Sequence, residues 1–284
     1  MYRWTKIYFA GVDVGSLAGK VVILKWEDGN KPEIVGKSIT VSRVIPQKTA
    51  RIAYQEALDN ASINKDDVKY IIGTGYGRIK IPFASTNISE IACHGKGANW
   101  CIPSVRTIVD IGGQDSKVIK VDENGKLVDF GMNDKCAAGT GRFLEVMAKA
   151  LETKLEDMGE IALKSKRPCT ITAQCGIFAE TEVISLIAEG KNVVDIIAGL
   201  HDSIASRILS LVNRVGLELD IVMTGGVAKN VGVIAALEKK LGVELKKFSI
   251  DPQLIGALGA ALFAKEEYQK SISKSKRKLK KWDF

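Results

Sequence analysis

VDVGS, at residues 12–16, is an apolar strand that ends in an aspartate and runs directly into a glycine turn. The same unit returns as VDIGGQD at residues 109–115. Each copy continues as a β-meander, because two further strand-like runs follow it, separated by a short turn that contains Asn and Gly. A unit that occurs twice in one chain is an internal repeat, and this repeat predicts two related lobes with a sheet in each.

The sequence around the two copies alternates helical and strand-like runs. Helical spacing covers residues 49–58 and 88–100, and YIIGTGYGR at residues 70–78 is a short buried strand that ends in glycines. After residue 131 the chain is mostly helical as far as residue 217. Beyond it we expect a strand within IVMTGG (221–226), a helix over 231–241, a short strand near 243–245 and a last helix from 255 to about 267. The mixture predicts an α/β fold.

Two cysteines precede predicted helices. MNDKCAAGTGRFLEVMAKALE, at residues 132–152, places Cys136 just before a glycine turn and an amphipathic run. Cys175, in TAQCGIFAETEVISLIAEG at residues 172–190, also precedes a helix-like run. A helix N-terminus stabilises a thiolate. From spacing alone, two thiols without a metal are the simpler interpretation, and a shared metal site is the alternative.

Composition indicates a folded globular protein with a large core. The chain has 284 residues, of which 46% are hydrophobic and 26% charged. No run approaches the ~18 uncharged apolar residues of a membrane span, and the start leads into a strand without a signal-peptide cleavage site, so we expect a cytoplasmic location. The five cysteines are odd in number and include no close C-x-x-C pair, which argues against a disulfide framework and against a one-chain zinc site.

The positive charge is concentrated at the C-terminus. Residues 270–284 contain seven Lys or Arg and one acid, so they account for +6 of the formal net charge of +8. The rest of the chain is nearly neutral, and we therefore expect no nucleic-acid partner. A solvated, mobile tail over 269–284 is the simpler interpretation, and contact with an acidic partner or RNA is the alternative.

Three glycine turns follow apolar strands, at Gly15-Ser16, Gly112-Gly113 and Gly225-Gly226. Glycines let backbone N–H groups approach an anion, and an aspartate at the strand end holds Mg²⁺, usually through water. A single glycine pair is more often only a tight turn. Two strand–Asp–glycine units with a third turn after them are more specific, and they favour a site for nucleotide phosphates.

These motifs resemble the actin, sugar-kinase and Hsp70 superfamily of ATPases over residues 7–268. VDVGSLAGK resembles its first phosphate motif, VDIGGQD its second, MTGGVAKN its adenosine motif and GALGAALFA its returning hinge helix. Five motifs narrow the resemblance to ATPases of the BadF/BadG/BcrA/BcrD type, and among them to the activators of 2-hydroxyacyl-CoA dehydratases. They are GTGYGR, DIGGQD, MNDKCAAGTGRFLE, FAETEVIS and MTGGVAKN.

The resemblance implies two actin-like (ribonuclease H-like) lobes with an ATP cleft between them. Lobe I would comprise residues 1–105 with the hinge helix at 256–268, and lobe II residues 106–255. It also implies ATP or ADP with Mg²⁺. Asp13 and Asp110 would hold Mg²⁺ through water, Gln114 would position the attacking water or sense the γ-phosphate, and Lys20 would meet phosphate charge.

The remaining nucleotide-binding positions implied by the resemblance come from the three glycine turns and from one later glutamine. The family commonly has a hydroxyl residue after Ser16 and often another before Lys20, so Leu17 and Gly19 predict fewer side-chain contacts to the β-phosphate. The positions are Gly15, Ser16, Leu17, Ala18, Gly19, Gly112, Gly113, Gly225, Gly226, Ala228 and Gln253.

For the cysteines, the resemblance implies that Cys136 and Cys175 bind one [4Fe-4S] cluster shared by the two chains of a homodimer. ATP hydrolysis would drive one low-potential electron from it into a dehydratase or a double-cubane-cluster reductase, and a ferredoxin or flavodoxin would recharge it. A bridging cluster near solvent also implies oxygen sensitivity. Cys93 and Cys101 are expected to be core thiols, and Cys169 is an alternative ligand.

Two other functions use the same fold. A sugar kinase needs a carboxylate base, for which Asp115 is the candidate, but it has no use for paired cysteines at helix starts. A non-enzymatic actin-like assembly or nucleotide sensor would bind ATP without electron transfer. Glu90 and His94 lie four residues apart on one helical face, and we expect a structural pair there rather than a catalytic one.

Overall fold

The structure is a computed structural model that describes residues 6–27, 30–133, 138–172 and 176–279. The chain divides into two compact units, one formed by residues 1–100 with 254–284 and the other by residues 101–253. The sequence puts the corresponding boundaries at 105/106 and 255/256, within a few residues of this division.

The first unit is a five-stranded sheet with helices packed on it. Its strand order is β3-β2-β1-β4-β5, in which β1, β2 and β3 are antiparallel neighbours and β1 runs parallel to β4. The elements are β1 (Ile7–Val14), β2 (Ala18–Trp26), β3 (Glu33–Val41), α1 (Pro46–Ala61), β4 (Val68–Thr74), β5 (Thr86–Asn87) and α2 (Glu90–Cys101).

The second unit repeats this topology. Its strand order is β8-β7-β6-β9, with β6, β7 and β8 antiparallel in turn and β6 parallel to β9. The elements are β6 (Thr107–Ile111), β7 (Ser116–Val121), β8 (Leu127–Asn133), α3 (Gly141–Ala150), α4 (Met158–Ala162), α5 (Gly176–Ala188), α6 (Val193–Val215), β9 (Ile221–Thr224) and α7 (Val231–Leu241). Because the first four strands of both sheets share order and direction, the predicted repeat and the α/β fold are confirmed.

The chain returns to the first unit as α8 (Ile255–Leu279). Its small residues pack on the sheet: a Cβ at Gly11 of β1 would collide with the Ala257 carbonyl, so glycine permits the close approach. With α1 and α8 both packed on the sheet, the last six residues of β1 are buried. The aspartate at the end of this strand is therefore fixed by a rigid core.

Two predicted elements differ from the structure. No strand forms at residues 243–245 in the described part of the chain, where only an isolated bridge joins Val222 to Lys246. The Leu245 amide donates instead to the Glu238 carboxylate at 2.9 Å. α8 ends at Leu279 rather than near residue 267, because it contains no Gly or Pro after Gly259. The hydroxyls of Ser271 and Ser273 bond to carbonyls of the preceding turn. Part of the predicted mobile tail is thus helical.

Within the described ranges, no helix combines the length and the apolar character that crossing a membrane requires.

Candidate functional site

Asp13 is held at the carboxyl end of β1. It is 4% exposed, and its Oδ2 lies 3.2 Å from Nζ of Lys20, its cross-strand partner on β2. Gly75, with φ +86°, lines the other side, since a Cβ there would collide with Asp13 Oδ1. Position 75 of GTGYGR therefore requires glycine, both for its backbone conformation and because the Asp13 carboxylate lies beside it.

α2 supplies a buried thiol and an ion pair near the carboxylate of Asp13. Cys93 is fully buried, and burial raises the pKa of its thiol to about 12, which fits the expected core position. Glu90 pairs with Arg78 at 3.0 Å, and the same guanidinium donates to the Gly75 carbonyl. Glu90 thus steadies the loop that contains Gly75, which is a structural role.

The first glycine turn is stabilised by Ser42, a residue that the sequence analysis did not identify. Gly15 N donates to the Ala18 carbonyl at 3.0 Å, and the Ser42 hydroxyl donates to the Gly15 carbonyl at 2.9 Å. Gly19 packs on α1, because a Cβ there would come within 2.5 Å of Thr49 Cγ2. The departure from the family pattern at Gly19 therefore has a packing reason.

Asp110 is the counterpart of Asp13 in the second unit. It is 4% exposed, the Thr224 hydroxyl donates to its Oδ1 at 3.0 Å, and Nζ of Lys117 lies 3.4 Å from its Oδ2. Lys117 also contacts Asp115 at 2.8 Å, and its side chain is 3% exposed. The carboxylate proposed as a kinase base is thus ion-paired with a buried lysine.

Lys117 and Thr224 were missed, although the repeat carries a signal for Lys117. In both copies a lysine follows the aspartate by seven residues and stands opposite it across the strand pair, as Asp13 with Lys20 and Asp110 with Lys117. Extending the repeat past its glycine turn would have found the second lysine. Thr224 comes from β9, and only the parallel pairing of β9 with β6 brings it to Asp110.

The second glycine turn is hydrogen-bonded to the start of α3. Gly141 N donates to the Gly112 carbonyl and Arg142 N donates to the Gly113 carbonyl, both at 2.9 Å. These are amides of the first turn of α3, which have no partner within a helix. The turn and α3 are therefore joined directly, and α3 begins five residues after Cys136. Gln114 is exposed on the same turn.

The third turn brings together the predicted adenosine-side residues. Gly225 has φ +85°, and a Cβ there would collide with the Ile111 carbonyl and lie 2.9 Å from Asp110 Oδ1. Gly226 lies beside the Gln253 side chain, 3.3 Å from its Nε2 as measured from an added Cβ. Ala228 packs against the core of the second unit. The sequence-predicted residues of this motif are thus clustered.

His201 supports this motif from the core. It is 1% exposed, and its Nε2 lies 3.3 Å from Asn230 Nδ2, so the ring nitrogen accepts from the amide. Asn230 in turn caps α7 by accepting from Val233 N at 3.0 Å. Burial lowers the pKa of His201 to about 4. No sequence signal pointed to this contact, since it joins two helices distant in the chain.

Acid is expected to destabilise the protein through His201. Its pKa is about 4 when folded and 6.5 as the ordinary value, so between these pH values the unfolded chain binds the proton and the folded chain does not. The contribution of neutral His201 to the free energy of unfolding is fully present above pH 6.5. It falls by about 3 kcal/mol as the pH is lowered to 4. In His201→Gln the loss measured by denaturant titration between about pH 7 and pH 4 should be smaller by that amount. Identical pH slopes in the two proteins would contradict the assignment.

Cys136 and Cys175 lie outside the described residues. The described residues next to them converge, because an added Cβ at Gly176 would lie 3.7 Å from Phe143 Cδ2 and 3.9 Å from Ala138 N. Among the described residues no group of three or more His, Cys, Asp or Glu is arranged to hold a metal ion. Cys169 is partly exposed, and burial is the main cause that raises its pKa, which disfavours the thiolate.

Comparison with known proteins matches the chain to one ATPase family and to several dehydratase activators. Residues 10–264 match the BadF/BadG/BcrA/BcrD ATPase family. The chain is 51% identical over 259 residues to the (R)-2-hydroxyglutaryl-CoA dehydratase activating ATPase of Acidaminococcus fermentans, covering 91% of this chain and 97% of that one. It is 47% identical over 268 residues to the activator of lactoyl-CoA dehydratase of Anaerotignum propionicum, covering 93% and 100%. The structure of the 2-hydroxyisocaproyl-CoA dehydratase activator from Clostridium difficile, solved with bound ADPNP, aligns with a TM-score of 0.87 at 43% identity, covering 94% and 98%.

Proposed function

The chain belongs to the BadF/BadG/BcrA/BcrD ATPase family, and we propose that it is an ATP-hydrolysing activator that drives a low-potential electron into a partner iron–sulfur enzyme. The relatives named as dehydratase activators support this function. The proposed partner is a 2-hydroxyacyl-CoA dehydratase or a related double-cubane-cluster reductase.

One structural observation carries the proposal. The carbonyls of Gly112 and Gly113, in the second phosphate turn, accept from the first amides of α3. A change at the turn when the γ-phosphate is lost is thereby passed to the helix that follows Cys136. Helices that respond to a nucleotide-sensing turn are a recurrent form of conformational switch.

The proposed nucleotide site uses both strand-end aspartates. Their buried carboxylates suit Mg²⁺, which prefers oxygen ligands and keeps several waters. Lys20, at 14% exposure, is the more accessible of the two equivalent lysines and is proposed to bind phosphate, whereas buried Lys117 holds Asp110 and Asp115 in place. Gln114, exposed on its turn, is proposed to orient the attacking water.

The cysteine segments fit a shared iron–sulfur cluster. A [4Fe-4S] cluster takes four thiolates, each chain offers two, and the residues beside them approach each other at Gly176 and Ala138. When bound, the cluster would supply one-electron transfer at low potential. The protein's own part is proposed to be the presentation of the two cysteines, which precede α3 and α5 in the chain, since the dipoles at helix N-termini favour the negative charge of thiolates.

A homodimer is proposed to complete the ligand set. α5, which begins directly after Cys175, exposes a set of apolar side chains that a second copy of the chain would cover. They are Phe178 at 69%, Ile184 at 54% and Ile187 at 40% exposure. A ferredoxin or flavodoxin is the proposed electron donor, and the location is proposed to be the cytoplasm, where ATP and such carriers occur together.

Anaerobic purification tests the proposed function. We expect a brown protein with about four irons per two chains, bleached by air, whose reduced form loses one electron to an iron–sulfur acceptor only while ATP is hydrolysed. Colourless protein with full ATPase activity would contradict it and favour a nucleotide-sensing module. Stoichiometric phosphorylation of a sugar would favour a kinase, which the Lys117–Asp115 ion pair at 2.8 Å argues against.

A further inference from the structure

Two short 3₁₀ turns, distant in the sequence, lie against each other in the second unit. One is Gly226–Lys229, in the predicted adenosine motif, and we call it the 226 turn. The other is Pro252–Leu254, and we call it the 252 turn. They are joined through the backbone, because the Gly225 amide donates to the Pro252 carbonyl at 3.3 Å. The adenosine motif is therefore completed by a segment that follows it by more than twenty residues.

Asp251 stabilises the 252 turn and connects it to the 226 turn. Its Oδ1 accepts from the Gln253 amide at 2.9 Å, which is the usual contact of an aspartate at a helix N-cap. Pro252 follows it at the first helical position, where no N–H is needed. Its Oδ2 lies 2.5 Å from Nζ of Lys229, the last residue of the 226 turn. One carboxylate thus fixes the Gln253 backbone and pairs with the adenosine motif.

The ion pair contributes little to folding by itself. The side chains of Lys229 and Asp251 are 49% and 27% exposed, and ion pairs at such exposed positions stabilise proteins only weakly. Their more direct effect is on Gln253, whose Nε2 would lie 3.3 Å from a Cβ added at Gly226. Because Asp251 holds the Gln253 amide, it also fixes the side chain that lies against this glycine.

We propose that Asp251, paired with Lys229, is a positioning residue for the adenosine part of the nucleotide; this inference rests on the proposed nucleotide site. Gln253 and Gly226 are both among the residues proposed to contact the nucleotide there. A site whose contacts are already in place loses less conformational entropy when its ligand binds. The adenosine part is common to ATP and ADP, so Asp251 acts on the binding of both and not on the hydrolysis step.

The test measures the Kd for ADP and the steady-state hydrolysis of ATP in three variants of the full chain. Asp251→Asn and Lys229→Gln each remove the ion pair, but the oxygen of the asparagine can still accept from the Gln253 amide. Asp251→Ala removes both contacts. We expect the Kd and the KM to rise about threefold in the first two variants and about tenfold in Asp251→Ala. The kcat should change far less, since a contact made equally before and during the reaction affects KM.

Asp202→Asn is the matched control. Asp202 lies 2.9 Å from Nζ of Lys240 and its side chain is 50% exposed, so the control also removes an exposed ion pair of the second unit. It leaves both turns unchanged, and we expect the Kd and the KM of the unmodified protein. Salt at about 1 M screens exposed charges, so the difference between Lys229→Gln and the unmodified protein should disappear there.

The outcomes separate the role of Asp251 from the proposed function. Unmodified protein that neither binds ADP nor hydrolyses ATP would overturn the nucleotide site, and the proposed function with it. Unmodified protein that does both, with an Asp251→Ala variant of equal Kd and KM, would overturn only the role of Asp251. A fall in kcat as large as the rise in KM, or an equal rise in Asp202→Asn, would also overturn it. If Asp251→Ala does not fold, Lys229→Gln and its salt dependence decide the question.

Discussion

Replacing Cys136 or Cys175 by alanine is expected to remove the proposed iron–sulfur cluster and to abolish the proposed electron delivery to the partner. Each substitution deletes one thiolate from each chain, so the proposed dimer would keep only two of the four that a [4Fe-4S] cluster takes. The glycine turns and strand-end aspartates lie outside the substituted segments, and the variants should therefore still bind ATP. Iron analysis and single-turnover reduction of an acceptor, both anaerobic, measure the two losses.

Cys169→Ala is the matched control for these variants. Cys169 lies six residues before Cys175, and burial raises its pKa, so we expect it to remain a thiol and to contribute no ligand. Iron content should be unchanged in Cys169→Ala. If this variant loses iron while Cys175→Ala keeps it, Cys169 is the ligand and the assignment from the sequence motif is wrong.

Asp110→Asn is expected to lower the rate of ATP hydrolysis about 10³-fold, which corresponds to about 4 kcal/mol in the barrier. Asparagine keeps the size and can still accept from Thr224, but it cannot supply the negative charge that is proposed to hold a magnesium ion beside the phosphates. Lys117 keeps Asp115 as its partner at 2.8 Å, so the buried lysine retains a carboxylate. Steady-state hydrolysis over a range of Mg²⁺ concentrations measures the loss, and cluster content should persist.

Asp115→Asn controls for the disturbance of Lys117. It also removes one carboxylate from the buried lysine, but leaves Asp110 at 3.4 Å from it. We expect a less stable protein whose hydrolysis rate falls by less than about tenfold, because the proposed Mg²⁺ ligand remains. Equal losses in both variants would refute a separate role for Asp110, and would reopen the interpretation of Asp115 as a catalytic base.

Sequence reasoning predicted the fold well because the fold is a repeat of a local pattern. An apolar strand, its terminal aspartate and the glycine turn are neighbours in the chain, so they are visible without tertiary contacts. The meander that we predict from VDIGGQD onward is observed as β6, β7 and β8. The predicted strand at 243–245 is wrong, since strand formation there depended on a partner, and the Glu238 side chain takes the Leu245 amide instead.

The candidate site was predicted in part. As with the fold, the residues that form a local pattern were found, and those that depend on tertiary contacts were not. Asp13, Asp110 and the glycine turns were found from motifs, whereas Ser42, Thr224 and His201 were not. Each missed residue lies far in the sequence from the motif residue that it contacts. The pairs are Ser42 with Gly15, Thr224 with Asp110 and His201 with Asn230. Lys117 is intermediate, because comparison of the two repeats would have revealed it.

By itself, the sequence determined the repeated unit, the three glycine turns and the two cysteines before helices, because each is a local pattern of residue types. Only the tertiary structure decided how these parts are connected. Strand pairing brings Thr224 and Lys117 to Asp110, and the orphan amides at the start of α3 find their acceptors in Gly112 and Gly113. Such contacts depend on which distant segments meet. The packing of the helices on the sheets, as apolar residues are buried, decides this, and no short stretch of the sequence does.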